Sequence, residues 1–181
     1  MESLLNKEML RTTLKQRRAA VLSARREEAR EALLLQLLPT LAHAENVLSF
    51  VSFAHEIDTS SINLYLARTG RLLLPKVSGD CLKIFRVSNP QKQLIPNSFG
   101  LIEPDPQCCS ELDANLLDIA LVPALGFDKD NHRLGYGRGF YDRFLKQFPH
   151  IQTVGIGFKE QLIPFIPTQE HDVPLEKVSL F

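Results

Sequence analysis

Four apolar stretches constrain this chain more than anything else in it: "NVLSFVSF" (46–53), "RLLLP" (71–75), "LLDIALVP" (116–123) and "TVGIGF" (153–158). Each is short and nearly continuous in apolar character, as a strand buried on both faces must be. Helical patterns separate or precede them. Leu10, Leu14 and Val21 share one face within the first 38 residues, which read as two helices. The second runs through "ARREEAREALLLQLL", with Ser23 as its cap and Pro39 beyond its end. Thr59 or Ser60 caps a short helix through Ala67, and "FYDRFLKQF" places Phe140, Phe144 and Phe148 on one helical stripe. "CLKIFRV" (81–87) alternates its faces as a further strand, and "KVSLF" at the end adds an edge strand. Prolines crowd the stretch from Asn89 to Ser110, which reads as an irregular surface excursion. Strands alternating with helices predict an α/β fold whose largely parallel sheet is covered on both faces. Ligands of such sheets sit beyond the carboxyl ends of the strands.

At 181 residues the chain suits one well-buried domain, 1–181, with residues 1–38 as helices packing on the α/β core. Its formal net charge of zero argues against a general binder of nucleic acid or acidic membrane. No apolar run approaches the roughly 18 residues that cross a bilayer, and the amino terminus has no signal-peptide pattern. Cys81, Cys108 and Cys109 have no zinc-like spacing and read as reduced thiols of a cytoplasmic protein. A redox role for the adjacent pair is the lesser reading.

"RLGYGRGF" (133–140) stands where ligands are expected, after the strand "LLDIALVP" and a turn, and before a helix. Gly135, Gly137 and Gly139 free the backbone to approach a partner closely, and Arg133 and Arg138 indicate that the partner is anionic. The spacing is neither GxGxxG nor GxxxxGK[ST]. Strand, turn, glycine-rich loop and helix is nonetheless the arrangement of a phosphate-binding loop.

Lys7, Arg11, Lys15 and Arg18 are four, four and three residues apart and form one helical stripe. Such a stripe is ordinarily a solvated face, yet this one lies beside the apolar face, so its first members could reach a ligand. Glu56 follows the first strand and belongs at the ligand edge of the sheet. Asp128 and Asp130 resemble the start of a calcium loop but lack its glycine and distal glutamate, and read as a turn. His171–Asp172 reads as a local turn. No serine or cysteine nucleophile constellation is present.

"KEMLR", "SFAHEIDT", "GLIEP", "LVPALGFDKDNHRLGYGRGFYDRFL", "GIGF" and "HDVPLEKV" occur in this order across nearly the whole chain. Together they resemble the 5-formyltetrahydrofolate cyclo-ligase family. The resemblance implies a three-layer α/β/α fold like that of the sugar-isomerase and CoA-transferase group. It implies conversion of 5-formyltetrahydrofolate to 5,10-methenyltetrahydrofolate with ATP and magnesium, releasing ADP and phosphate. Lys7 and Arg11 would contact ATP, together with the loop Arg133, Leu134, Gly135, Tyr136, Gly137, Arg138, Gly139, Phe140 and Tyr141. Arg133, Arg138 and Tyr141 would stand closest to the chemistry. Glu56 would hold the pterin ring and Val51 line its pocket, with Tyr136 and Phe140 bordering the folate. Asp142 and Asp172 would hold magnesium. The implied partner is a small molecule, with or without polyglutamate, and not nucleic acid or membrane; the implied state is a cytoplasmic monomer.

The chain departs from the family pattern at Asn131, usually glycine, and at Glu176, more usually aspartate. Asparagine is the residue best able to replace glycine at positive φ, so the turn is expected to survive. Two alternatives stay open on the residues alone. A sugar-phosphate isomerase or acyl-CoA enzyme on the same scaffold would use the glycine loop for a substrate phosphate and Glu56 as a base. A nucleic-acid binder would use the basic stripe, against which the neutral net charge weighs.

Overall fold

The computed structural model describes residues 2–98 and 100–181. Met1 and Phe99 lie outside the described residues, as do the side chains of residues 2–6. Helices α1 (Glu2–Ala19) and α2 (Ser23–Leu37) open the chain, as the sequence predicts. Ser23 is already the first helical residue, however. The position before it is Leu22, and no side chain caps the helix. Ala29, Leu33 and Leu37, four residues apart, form the buried face of α2.

The chain continues through β1 (Val47–Leu48), α3 (Ser60–Arg68), β2 (Leu72–Ser78), β3 (Cys81–Arg86), β4 (Leu94–Pro96), β5 (Ile102–Pro104) and β6 (Ser110–Leu112). Then come β7 (Ile119–Pro123), β8 (Gly126–Phe127), β9 (Arg133–Leu134), α4 (Phe140–Gln147), β10 (Gln152–Gly157) and β11 (Lys177–Leu180). Seven strands form one sheet in the order β11-β10-β7-β1-β2-β3-β6. The pairings from β11 to β2 are parallel, whereas β3 and β6 are antiparallel additions. Alternation along the strands divides the core. Leu72, Leu74, Ile119, Leu121, Val154 and Ile156 face α2 and α3, whereas Leu73, Ala120 and Val122 face α4 through Phe144 and Leu145. This is the three-layer α/β/α arrangement. No helix among the described residues is long and apolar enough to cross a membrane.

Three further expectations need correction. The first strand is not eight residues long, because its paired part is Val47–Leu48. Beyond it, Thr59 Oγ1 and Asn63 Nδ2 each donate to the Phe50 carbonyl at 2.8 Å, so side chains take an acceptor that a neighbouring strand would otherwise use. Thr59 therefore spends its hydroxyl on Phe50 rather than on capping α3, whose Ser60 N–H is met by Asp58 Oδ1 at 2.8 Å. The proline-rich stretch holds a hairpin of β4 and β5, with Pro96 and Pro104 at ladder ends, where a missing N–H is tolerated. Buried Glu103 fastens it to β2 by accepting from Val77 N at 3.2 Å and pairing with Lys76 Nζ at 3.4 Å.

Helix α1 packs elsewhere. Leu14, helped by Leu10, packs with Leu125, Leu134, Ile163 and Ile166, on segments that follow the carboxyl ends of β7 and β10. That placement brings its cations to the ligand edge of the sheet.

Candidate active site

Beyond β7 the chain forms the β8–β9 ribbon, and Asp128 organises its turn. Its Oδ1 accepts from Asp130 N at 3.0 Å and His132 N at 2.9 Å, while Oδ2 accepts from Ile166 N at 3.0 Å and lies 3.1 Å from His132 Nδ1. Asp128 and Asp130, read from the sequence as a turn, do lie in one, and the ligand atoms of Asp128, Asp130 and His132 come within 4.8 Å of one another there. Asn131 holds φ +62°, the left-handed conformation that asparagine tolerates. Its carbonyl accepts from Leu175 N at 3.0 Å, and its Nδ2 donates to the Glu176 carbonyl at 3.2 Å. The segment carrying Asp172 and Val173 is thereby laid beside the ribbon.

Only two of the three loop glycines use left-handed backbone: Gly137 at φ +103° and Gly139 at φ +64°. Gly139 immediately precedes α4, so the loop runs into the helix N-terminus. Gly135 lacks a positive φ, and a Cβ there would meet nothing within 4 Å. Its carbonyl accepts from Arg11 Nε at 3.0 Å. The Arg11 guanidinium continues over Gly137, where a Cβ would stand 3.3 Å from Arg11 Cζ.

Two cation–carboxylate pairs flank the loop. Buried Lys7 donates from Nζ to Asp172 Oδ2 at 2.6 Å, and Gln169 N donates to the same oxygen at 2.7 Å. Burial alone would raise the Asp172 carboxyl, but these two bonds and the Lys7 charge hold it below its ordinary value. Arg133 donates from Nη2 to Asp142 Oδ1 and from Nη1 to the Val173 carbonyl, both at 2.6 Å. Val173 N returns a bond to Asp142 Oδ1 at 3.1 Å. Burial lowers the Arg133 pKa, opposed by the charges of Asp142, Tyr141 and Asp172 around it. The two aspartates expected to hold magnesium both act on Arg133, Asp142 through a direct bond and Asp172 through its charge.

A third cluster centres on Glu56. Its Oε2 accepts from Phe53 N at 2.9 Å and its Oε1 from the Tyr136 hydroxyl at 2.7 Å. Arg18 Nη2 donates to that hydroxyl at 2.6 Å, and Arg18 Nη1 lies 3.7 Å from Glu56 Oε1. Burial pushes the Glu56 carboxyl above its ordinary value, against the opposing pull of Phe53 N, Tyr136 and Arg18. Burial and the Glu56 charge raise both Tyr136 and Tyr141, so both phenols stay protonated.

The structure therefore gathers Lys7, Arg11, Arg133, Tyr136, Tyr141, Glu56, Asp142 and Asp172 around the glycine loop. Leu134 is a core side chain against Leu14, Leu125 and Ile163, so only its backbone can serve a ligand. Val51 is half-buried against the α2–α3 side of the core. Phe140 is half-buried, with the Arg143 guanidinium carbon 5.3 Å from its ring centre, and Arg138 is exposed. Arg18 also reaches the site, although the sequence carries only the first members of its stripe, Lys7 and Arg11, to a ligand; its place on that stripe is the signal for it. Lys15, on the same stripe, faces solvent.

The fold and site define an α/β protein whose glycine-rich loop, with Lys7, Arg11 and Arg133 around it, lies at the carboxyl edge of a largely parallel sheet. The sequence model of the 5-formyltetrahydrofolate cyclo-ligase family matches residues 4–180, and the chain belongs to that family. The Escherichia coli K12 5-formyltetrahydrofolate cyclo-ligase is 32% identical over 174 residues, covering 91% of this chain and 94% of that protein. The Mus musculus 5-formyltetrahydrofolate cyclo-ligase is 33% identical over 186 residues, covering 93% and 90%. The solved structure of Aquifex aeolicus 5,10-methenyltetrahydrofolate synthetase superposes with a TM-score of 0.84 at 26% identity, over 95% of this chain and 88% of that one.

Proposed function

We propose that this chain converts 5-formyltetrahydrofolate to 5,10-methenyltetrahydrofolate at the expense of ATP, through phosphorylation of the formyl oxygen. The observation that carries this reading is the bond from Tyr136, a residue of the glycine loop, to Glu56. It puts a carboxylate suited to a pterin's N–H groups against a loop suited to phosphate. Membership of the family and the names of the relatives support the same reaction.

A formamide carbon is a poor electrophile and its oxygen a poor leaving group. Transfer of the γ-phosphoryl group to that oxygen makes ADP and a phosphorylated iminium. The neighbouring folate nitrogen N10 attacks the activated carbon, the carbon–oxygen bond breaks, and phosphate departs as the methenyl bridge forms. The proton lost from N10 leaves with phosphate or water. No protein nucleophile takes part, in keeping with the residues present.

The protein's contribution is positioning and charge neutralisation. Lys7, Arg11 and Arg133 surround the loop with positive charge, and the backbone from Gly135 to Gly139 offers N–H groups at the start of α4. Glu56 orients the pterin by accepting from its N–H donors. The bonds to Lys7 and Arg133 use Oδ2 of Asp172 and Oδ1 of Asp142, and the remaining anionic oxygen of each suits a hard divalent ion. Magnesium bound there supplies neutralisation of triphosphate charge. Incubation with 5-formyltetrahydrofolate and MgATP tests the proposal: the methenyl absorbance band must grow only when both are present. Growth of that band without ATP, or its failure to appear with both, overturns it.

A further inference from the structure

We infer that Arg18 is a positioning residue for the folate subsite, acting on Glu56 through Tyr136 so that the carboxylate is presented in one fixed orientation. The inference rests on the reading above that Glu56 holds the pterin.

The chemistry of the three groups fixes the direction of the chain of bonds. A guanidinium only donates, so the Tyr136 hydroxyl must accept from Arg18 Nη2 at 2.6 Å. The hydroxyl has one proton, and with Arg18 on its lone pair that proton is aimed at Glu56 Oε1, 2.7 Å away. Phe53 N holds the other oxygen, Oε2, at 2.9 Å. Glu56 is thus restrained at both oxygens, once by its own turn and once by a relay from α1. The relay is rigid at its base: Arg18 is 3% exposed, its Nη1 donates to the Ala124 carbonyl at 3.3 Å, and its Cζ lies 5.6 Å from the Tyr136 ring centre.

The groups facing Glu56 are Arg18 from α1, Tyr136 from the glycine loop, Tyr141 from α4 and the Phe53 N–H of its own turn. Arg18 is the cation among them, and it opposes the effect of burial on the carboxyl. A purely structural arginine is expected to have every polar atom satisfied once buried. Among the described residues, Arg18 Nε has no hydrogen-bond partner. The fold bears that uncompensated burial where an apolar side chain would pack without it. The site, and not the core, accounts for the arginine.

The test measures 5-formyltetrahydrofolate binding by calorimetry across pH, and KM for both substrates, in the full chain and in Arg18→Gln, Arg18→Lys, Tyr136→Phe and Glu56→Gln. Arg18→Gln and Tyr136→Phe are each expected to weaken folate binding about tenfold with a smaller effect on the KM for ATP. Combining them is expected to cost little more than either alone, because they break one relay. In Arg18→Gln the acid limb of folate binding moves to higher pH by about one unit, since an opposite charge near the carboxylate is gone. Arg18→Lys returns the acid limb towards wild type but not the full affinity, because an ammonium lacks the fork that reaches both groups. An unmoved acid limb in Arg18→Gln, with Glu56→Gln abolishing that limb, overturns the role of Arg18 and leaves the reading of Glu56 standing. Wild-type folate binding in Glu56→Gln overturns that reading, and this inference with it. Should Arg18→Gln not fold, Arg18→Lys and Tyr136→Phe decide: wild-type affinity in both refutes the relay.

Discussion

Lys7 Nζ lies 2.6 Å from Asp172 Oδ2, although 165 positions separate the two residues in the chain. One belongs to the first helix and the other to the segment before the last strand, and the glycine loop lies between the elements they join. The pair fastens α1 across the site, and Arg11 repeats the connection one turn later at Gly135. Helix α1 is in this sense a wall of the site and not an appendage.

Acid should loosen that wall. The Asp172 carboxyl is held below its ordinary 3.8, so the stability it confers is present above that value and is lost as pH falls through the lower folded value. The deficit of Asp172→Asn relative to wild type, followed by thermal unfolding, is therefore largest above about pH 4 and shrinks in stronger acid. An equal deficit at neutral pH and at about pH 2 would show that the charge on Asp172 does not hold α1.

Glu56→Gln is expected to weaken folate binding about ten- to a hundredfold, or ~1.5–3 kcal/mol, with less effect on ATP. A neutral amide offers one acceptor and turns a donor toward donors. Its effect on stability has the opposite pH sign to that of Asp172. The Glu56 carboxyl is raised above 4.5, so its contribution is full in acid and is lost as pH rises through the folded value. The stability difference between variant and wild type should move in the variant's favour over that rise. Chemical denaturation at two pH values reads the sign directly, and a shift in the other direction contradicts it.

Gly137→Ala should damage ATP use although it adds one methyl group. At φ +103° alanine is strained, and its Cβ would press on the Arg11 guanidinium at 3.3 Å. Loss of preorganised donors is expected to cost about 10²–10³ in rate, with a raised KM for ATP and a smaller change in folate binding. Gly135→Ala, at a position with neither constraint, should cost less. Near-normal ATP kinetics in Gly137→Ala would place the phosphate cradle elsewhere.

Asp142→Asn should lower turnover while the fold persists, because an amide oxygen still accepts from Arg133 and Val173 as Oδ1 does. What the amide lacks is the anionic oxygen a hard cation prefers. Raised magnesium should recover part of the activity. Wild-type activity at low magnesium would remove Asp142 from the metal's ligands.

Some of this site was legible in one dimension because the physics is local. The glycine-rich loop between a buried strand and a helix is readable from a few neighbouring residues, and Asn131 at a glycine position foretold a positive φ that the backbone indeed holds, at +62°. The stripe of Lys7, Arg11, Lys15 and Arg18 was visible too, but periodicity cannot say which members face inward. Lys15 is exposed and Arg18 buried because α1 meets the domain along Leu10 and Leu14 at an angle set by partners more than a hundred residues away. The β4–β5 hairpin was hidden for a related reason. Proline forbids a ladder bond at its own nitrogen, and only the paired register shows that Pro96 and Pro104 stand at ladder ends.

By itself the sequence determined the α/β class, the parallel core and the loop's place at the sheet's edge. Each follows from patterns that neighbouring residues impose on one another: burial on two faces, helical spacing, glycine before a helix. The family came from its motifs, whose order along the chain resembles that of known members. Tertiary structure alone decided that the first strand ends at Leu48, because Thr59 and Asn63 reach back to the Phe50 carbonyl. It also decided that Arg18, Tyr136 and Glu56 form one chain of bonds. These groups come from a helix, a loop and a turn that no local rule relates. Hydrogen bonds of 2.6 and 2.7 Å depend on how three elements pack, and packing is a property of the whole core.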